Sequence, residues 1–174
     1  GVVSSTYASV ETDVDPKPLI IGERANATGS KEFREALLND DIDAMMEILS
    51  SQRSEGAHLV DLSVGYAGRD EQNDMVKLVK LINRDVPAPL CIDSTDPATI
   101  EAALKCYGGK ALINSINLED GGHKAKEILI LAKKYGAGVI GLTIDESGLA
   151  TNAEKKVEIA QRIIDLSQNY GLKQ

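Results

Sequence analysis

The chain alternates short apolar runs with amphipathic stretches, and this alternation limits the possible folds more than any other feature of the sequence. Five apolar runs occur, at residues 19–21, 58–62, 89–92, 111–113 and 138–142. None of them alternates strictly between apolar and polar residues, as the strands of a half-exposed sheet would. Continuous apolar runs are typical of parallel strands that are buried on both faces.

The stretches between the runs have the spacing of amphipathic helices. Apolar residues recur at positions i, i+3, i+4 and i+7, which lie along one helix face. Three clear stripes and one wider stripe are Met75, Leu78, Val79 and Ile82; Ala125, Ile128, Leu129 and Ala132; Ile42, Met45, Ile48 and Leu49; and Val157, Ala160 and Ile164. Strands that alternate with helices indicate an α/β protein with a parallel sheet.

Residues typical of helix ends support these assignments. Asp96 followed by Pro97 predicts a helix start, and Thr151 with Glu154 has the spacing of a capping box. Three glycines lie between a helical stripe and the next apolar run, where the end of a helix is expected: Gly56, Gly108 and Gly136.

Two architectures fit this pattern, an open doubly wound sheet and a closed (β/α)₈ barrel. A barrel typically takes about 250 residues, whereas this chain has 174, so length alone favours the open sheet. The segment 1–17 is rich in Ser, Thr and acidic residues and contains Pro16. It is predicted to be a linker or flexible N-terminal segment, with the folded domain at 18–174.

Charge and composition exclude several classes of partner. A net charge of −8 argues against a general nucleic-acid-binding surface. No apolar run approaches the roughly 18 residues of a membrane span. Two cysteines are too few for a disulfide framework and are typical of a reduced, cytoplasmic protein. We therefore expect no nucleic acid, no membrane and a cytoplasmic location.

Polar residues follow every apolar run. The carboxyl ends of parallel strands meet on one face, so these side chains should share a pocket. They include Glu23, Arg24, Asn26, Asp61, Ser63, Asp93, Asn114, Asp145 and Glu146. Arg24 is the only basic residue among them, so the pocket suits a neutral heterocycle with many donors and acceptors, such as a pterin. It suits a polyphosphate poorly, because a phosphate site needs a glycine-rich loop with a lysine.

Each of these residues also has a structural interpretation. Asp93 could cap the helix that begins at Pro97, although Asp96 already fills that position. Asn114 could be a turn residue. Glu23 and Arg24 could form an ion pair at the rim. The pair at 145–146 could be a solvated loop.

The remaining reactive side chains do not form a recognisable site. His58 precedes a strand, at the end opposite the expected pocket, and His123 lies in a loop that opens a helix. Cys91 lies within a strand and is interpreted as a small buried apolar residue. Two Cys and two His without ligand spacing predict no metal site.

The strand-end motifs resemble those of the pterin-binding methyltransferases. The matching segments are 19–26 (LIIGERAN), 90–95 (LCIDST), 100–105 (IEAALK) and 112–115 (LINS), and the likeness continues at 135–137 and 145–148. The family includes the folate domain of cobalamin-dependent methionine synthase and the methyltetrahydrofolate:corrinoid methyltransferases. Dihydropteroate synthase is a more distant relative with the same barrel. The resemblance therefore implies a TIM (β/α)₈ barrel of the dihydropteroate synthase type, of which this chain holds about the first five βα units.

The resemblance also implies roles for individual residues. Asp93 and Asn114 match the family's pterin-contacting Asp and Asn, and Asp61 matches the acid of the second strand. Glu23 and Asn26 match the first-strand motif at the rim. Ser63 takes the place of an Asn that is usual in the family, where its hydroxyl could partly replace the amide. Residues after position 174 would supply another pterin-binding Asp and an Asn near N5, so the catalytic residues are expected outside this chain.

The function implied is the transfer of the N5 methyl group of 5-methyltetrahydrofolate to the cobalt of a corrinoid held by a partner domain or protein. The alternatives are a dihydropteroate synthase-like enzyme and a catalytically inactive barrel fragment that binds pterin only. Because an incomplete barrel has exposed strand edges, homo-oligomers through those edges or through helices are also expected.

Overall fold

The five apolar runs form five neighbouring parallel strands. The computed structural model describes residues 1–173. Its strands are β1 (Val2–Ser4), β2 (Ser9–Glu11), β3 (Ile21–Asn26), β4 (Leu59–Ser63), β5 (Leu90–Asp93), β6 (Leu112–Leu118), β7 (Gly138–Asp145) and β8 (Gly148–Leu149). Its helices are α1 (Lys31–Leu38), α2 (Ile42–Ser54), α3 (Glu71–Asp85), α4 (Pro97–Cys106), α5 (His123–Tyr135) and α6 (Ala153–Asn169).

The main sheet follows the order of the chain. Its six strands run β3-β4-β5-β6-β7-β8, and every pair from β3 to β7 is parallel. At the far edge, the short β8 turns back antiparallel to β7. At least one helix connects each parallel strand to the next, and the sheet curls into a half-barrel. The predicted series of five parallel βα units is confirmed.

The sheet has a different apolar cluster on each face. The large cluster joins the helices to outward-facing strand residues such as Leu62, Ile92 and Ile113. The small cluster consists of strand and hairpin residues and lies on the concave face: Val3, Leu59, Cys91 and Leu112, with Val10, Leu19, Ile21 and Ile140 packed against them. The interior of the half-barrel is therefore apolar at the amino-terminal ends of its strands.

The N-terminal segment closes that apolar end. Strands β1 and β2 pair as an antiparallel hairpin, and Val3 is 2% exposed. The Tyr107 hydroxyl donates to Ser4 O at 3.0 Å and accepts from Leu90 N at 2.9 Å. The Ser4 amide donates to Lys110 O at 3.0 Å. Residues 2–11, predicted as part of a linker, thus contain a hairpin that is hydrogen-bonded to the barrel.

Helix α6 departs from its predicted pattern. Its buried residues are Ile159 and Ile163, whereas Val157 is 69% exposed. Its N-cap is Asn152, whose side chain accepts from Lys155 N at 2.8 Å, and not Thr151. The predicted cap at Asp96 is confirmed, since its carboxylate accepts from Ala98 N and Thr99 N. The short helix α1 was not predicted.

A large groove lies along the free edge of the parallel strands. It has a volume of about 650 Å³ and lies between β7 and α6, beside the N-terminal hairpin. Ala160 and Ile164, two members of the wide stripe of α6, line it together with Gly138, Gly141 and Thr143. The second apolar side of α6 thus faces this groove. None of the helices in residues 1–173 is long and apolar enough to cross a membrane.

Candidate functional site

Four of the predicted polar residues lie directly above the concave apolar layer. Successive side chains of a strand alternate between the faces of a sheet. Leu59, Cys91 and Leu112 belong to the concave cluster, so the residues two positions further along each strand point the same way. Those residues are Asp61, Asp93 and Asn114, and Ser63 follows two positions after Asp61. The carboxyl-terminal half of the concave face is therefore polar.

Asp61 is the most deeply buried of these groups, with 1% of its surface exposed. Its Oδ1 accepts a hydrogen bond of 3.3 Å from Asn114 Nδ2, which reaches across β5. Its Oδ2 is buried and has no hydrogen-bond partner among the described residues. Burial raises the pKa of Asp61 to about 6, and hydrogen bonds from Cys91 and Asn114 oppose this rise. One oxygen of the buried Asp61 carboxylate is thus left without a donor in the part of the chain that the structure describes.

Asp93 lies beside Asn114, since the two are register partners on β5 and β6. Burial raises the pKa of the Asp93 carboxyl, a hydrogen bond from Ser63 lowers it, and the charges of Glu23 and Glu71 raise it further. Helix α4 is capped by Asp96, so Asp93 is not needed as a cap. The site concentrates carboxylate oxygens, which favours a ligand that presents N–H donors.

Asn26 reaches this face because of an irregularity in β3. Gly22 pairs with Val60 and Ala25 with Leu62, so β3 has one more residue than β4 between the same two pairs. This β-bulge leaves Asn26 opposite Ser63. Asn26 Nδ2 donates to Glu23 Oε1 at 3.4 Å. Asn26 Oδ1 accepts from the backbone amides of residues 28 and 29, so the side chain also holds the turn after β3.

Arg24 does not belong to the pocket. Its guanidinium pairs with Glu55 at the end of α2, not with Glu23, so the interpretation of residues 23 and 24 as an ion pair is wrong. The Glu55 carboxylate raises the pKa of Arg24 through a hydrogen bond. The one basic residue among the predicted strand ends therefore points away from the polar face.

Asp145 is not part of a solvated loop either. It is 3% exposed, accepts from the Ser147 hydroxyl at 2.6 Å, and forms ion pairs of 3.0 Å with both Lys155 and Arg162. Hydrogen bonds from Ser147 and Lys155 hold the pKa of Asp145 far below its ordinary value. These contacts fasten the end of β7 to α6, which is a structural role.

Three features of the site were not recognised in the sequence. Cys91 is the register partner of Asp61, and burial, followed by the charge of Asp61, raises the pKa of its thiol. Ser94 donates to Glu71 Oε1 at 2.6 Å, which links the β5 loop to the start of α3. The β-bulge in β3 is the third. His58 lies at the other end of the sheet, where its Nδ1 accepts from Ile20 N at 2.9 Å.

The polar face and its half-barrel have counterparts among known proteins. Residues 22–174 match the family described as pterin binding enzyme. The chain belongs to this family. Methionine synthase from Mycobacterium tuberculosis (strain ATCC 25618 / H37Rv) is 44% identical over 174 residues, which is 98% of this chain and 15% of that protein. Methionine synthase from Mycobacterium leprae (strain TN) is 42% identical over 98% of this chain and 14% of that protein.

Solved structures with the same fold are dihydropteroate synthases. The enzyme from Vibrio fischeri ES114 superposes with a TM-score of 0.68 at 16% identity, covering 99% of this chain and 63% of that one. The Clostridium difficile enzyme, solved in the presence of pteroic acid, gives a TM-score of 0.70 at 17% identity and covers 93% and 63%. The predicted fold, a partial TIM barrel of the dihydropteroate synthase type, is confirmed.

Proposed function

We propose that this pterin-binding chain recognises 5-methyltetrahydrofolate within a methyltransferase that passes the N5 methyl group to a corrinoid. The observation that carries the proposal is the buried Asp61–Asn114 pair beside Asp93, on three adjacent strand ends. Relatives more than 40% identical are methionine synthases. The chain spans about 15% of the M. tuberculosis protein, so the activity of a whole protein and its partners belong to the proposal.

The chemistry of a pterin fits this polar face. The amino-pyrimidine edge of the ring presents an exocyclic amine, a ring N–H and a carbonyl. Two carboxylates offer acceptors for the donors, and an amide such as Asn114 can both donate and accept. The hydrogen bond between Asn114 and Asp61 holds that amide in one orientation. Oδ2 of Asp61 is buried and has no hydrogen-bond partner among the described residues, so a ring donor that reached it would remove the cost of leaving it unpaired.

These residues bind and orient the substrate but do not complete the chemistry. A tertiary amine leaves as a neutral group only once N5 is protonated, so a proton donor near N5 is required. We propose that this group lies outside this chain, because the chain covers only 63% of the dihydropteroate synthase chains whose fold it shares. The corrinoid, on another domain or protein, supplies the cobalt nucleophile.

The outward position of Arg24 weighs against the dihydropteroate synthase alternative. That reaction uses a pterin pyrophosphate, whose charge calls for cationic side chains in the pocket. Arg24 is paired with Glu55 instead, and the carboxylates at 61 and 93 would repel a pyrophosphate.

A reduced, cytoplasmic setting agrees with the two free cysteines, Cys91 and Cys106, and stays a proposal.

The test compares Asp93→Asn with Asp96→Asn in the longer protein that we propose contains this chain. Asp93→Asn places an amide donor against a ring donor and should weaken 5-methyltetrahydrofolate binding by about ten- to hundredfold. Asp96→Asn changes an acid in the same loop, and Asn caps helices as well as Asp does, so binding should not change. Isothermal titration measures both affinities. Equal affinities for wild type and Asp93→Asn would return Asp93 to a structural role.

A further inference from the structure

The β-bulge in β3 decides which side chains of this strand reach the pterin face. Ile21 packs in the concave cluster, and strict alternation from Ile21 would put residues 23 and 25 on that face and Asn26 on the other. In the structure Ala25 is instead fully buried in the cluster on the helix side, and Asn26 pairs with Ser63. The extra residue between Gly22 and Ala25 therefore reverses the alternation and turns Asn26 towards the site.

A bulge leaves some backbone groups without a partner in the neighbouring strand. Gln52 provides a partner for one of these groups. Gln52 lies on α2 and is 3% exposed. Its Oε1 accepts a hydrogen bond of 2.7 Å from Arg24 N, within the bulge. An unpaired buried amide is costly, so this contact favours the bulged conformation over a regular strand.

Gly22 gives Gln52 the space it needs. A Cβ atom at Gly22 would lie 2.7 Å from Gln52 Oε1 and 3.1 Å from Gln52 Cβ. Any other residue at this position would push the amide away from Arg24 N. The Nε2 of Gln52 is buried and has no hydrogen-bond partner in residues 1–173, so only the oxygen of the amide holds the strand.

Building on the proposed function, we propose that Gln52 is a positioning residue of the pterin site: it holds the β3 bulge, and the bulge directs Asn26 at the ligand. Gln52 does not itself face the site, because its side chain fills the space between α2 and Gly22. Its effect on a ligand is transmitted by the backbone of residues 22–25. Loss of the amide oxygen should therefore reduce pterin affinity only as long as Asn26 is present.

The experiment uses the longer protein and three variants on α2. Gln52→Met keeps the length of the side chain and removes the acceptor. It should raise the Kd for 5-methyltetrahydrofolate at least about tenfold, since small displacements of binding groups are costly. Gln52→Glu keeps an acceptor oxygen and should restore most of the affinity. Ile48→Val, a buried neighbour one turn away on the same helix, should leave the Kd within about twofold of wild type, because it removes one methyl group and leaves the acceptor oxygen of Gln52 in place.

A double-mutant cycle separates positioning from general destabilisation. In an Asn26→Ala background, Gln52→Met should change the Kd by less than about threefold, because the group it positions is gone. An unchanged tenfold effect in that background would overturn the proposal, and so would wild-type affinity in Gln52→Met itself. If Gln52→Met does not fold, Gly22→Ala displaces the same amide and must give the same result in both backgrounds.

A measurement that needs no ligand distinguishes a failure of this proposal from a failure of the proposed function. Hydrogen exchange of the Arg24 amide should be slow in wild type and Gln52→Glu and at least about tenfold faster in Gln52→Met, because the protecting bond is lost. Fast exchange in Gln52→Met together with no folate binding in wild type would reject the folate function alone. Equal exchange in all three proteins would reject the role of Gln52.

Discussion

Replacing Asp61 with Asn should stabilise the folded chain near neutral pH and weaken its affinity for a pterin. Asp61 is almost fully buried, and its pKa rises from 3.8 to about 6 on folding. Each unit of pKa corresponds to about 1.4 kcal/mol, so an ionised Asp61 destabilises the folded state by on the order of 3 kcal/mol. Asn carries no charge, and its amide oxygen can still accept from Asn114.

The raised pKa of Asp61 determines how the stability of the fold changes with pH. The folded chain holds the Asp61 proton more tightly than the unfolded chain, so protonation stabilises the fold. This stabilisation is fully present below pH 3.8 and is lost as the pH rises through about 6. The Asp61→Asn variant avoids the loss. Its advantage should be on the order of 3 kcal/mol at pH 7.5 and below about 1 kcal/mol at pH 4.

Urea unfolding of the chain, followed by circular dichroism at both pH values, measures the difference. Asp145→Asn is a control of opposite sign, because hydrogen bonds from Ser147 and Lys155 lower the pKa of that buried acid, which also pairs with Arg162. It should destabilise the chain at pH 7.5. If Asp61→Asn were no more stable than wild type at pH 7.5, or equally more stable at pH 4, burial of a charge would not be the cause.

Three further outcomes are expected. The free edge of β7 and its groove should promote self-association, so sedimentation velocity should show oligomers, and a monomer at all concentrations would contradict this. The 174-residue chain should transfer methyl groups to free cob(I)alamin far more slowly than the longer protein; a rate within about tenfold would show that no further strands are needed. Gly109→Ala should lower the thermal midpoint, since its Cβ would lie 2.0 Å from Ser4 O; an unchanged midpoint would mean that the hairpin adds no stability.

Regular features of the fold could be predicted from the sequence because they repeat. The continuous runs identified the parallel strands, and the stripes at Met75 and Ala125 identified the buried faces of α3 and α5. The stripe at Val157 was less informative, since α6 has two apolar sides and only the one with Ile159 and Ile163 is buried by described residues. The β1–β2 hairpin has strands of three residues each, too short for a periodic pattern.

The candidate site could be predicted less fully. Asp61, Asp93 and Asn114 follow from the alternation of regular strands, so their common face was predictable. The direction of Arg24 was not, because it depends on the extra residue in β3 and on Glu55, which lies 31 positions away. The partners of Asp145 on α6 are equally distant from any local motif, and only packing brings them together.

The N-terminal hairpin limits the directions from which a ligand can approach the polar face. With Val3 filling the amino-terminal end, a pterin cannot approach Asp61 from the amino-terminal side of the sheet and has to come from the side of the carboxyl-terminal strand ends or the open edge of the half-barrel. On the proposed function, the corrinoid must also approach the carboxyl-terminal side, since the N5 methyl group has to face it. On that proposal, folate and the corrinoid partner would share the carboxyl-terminal side of the sheet, so a docked partner would hinder the release of spent folate.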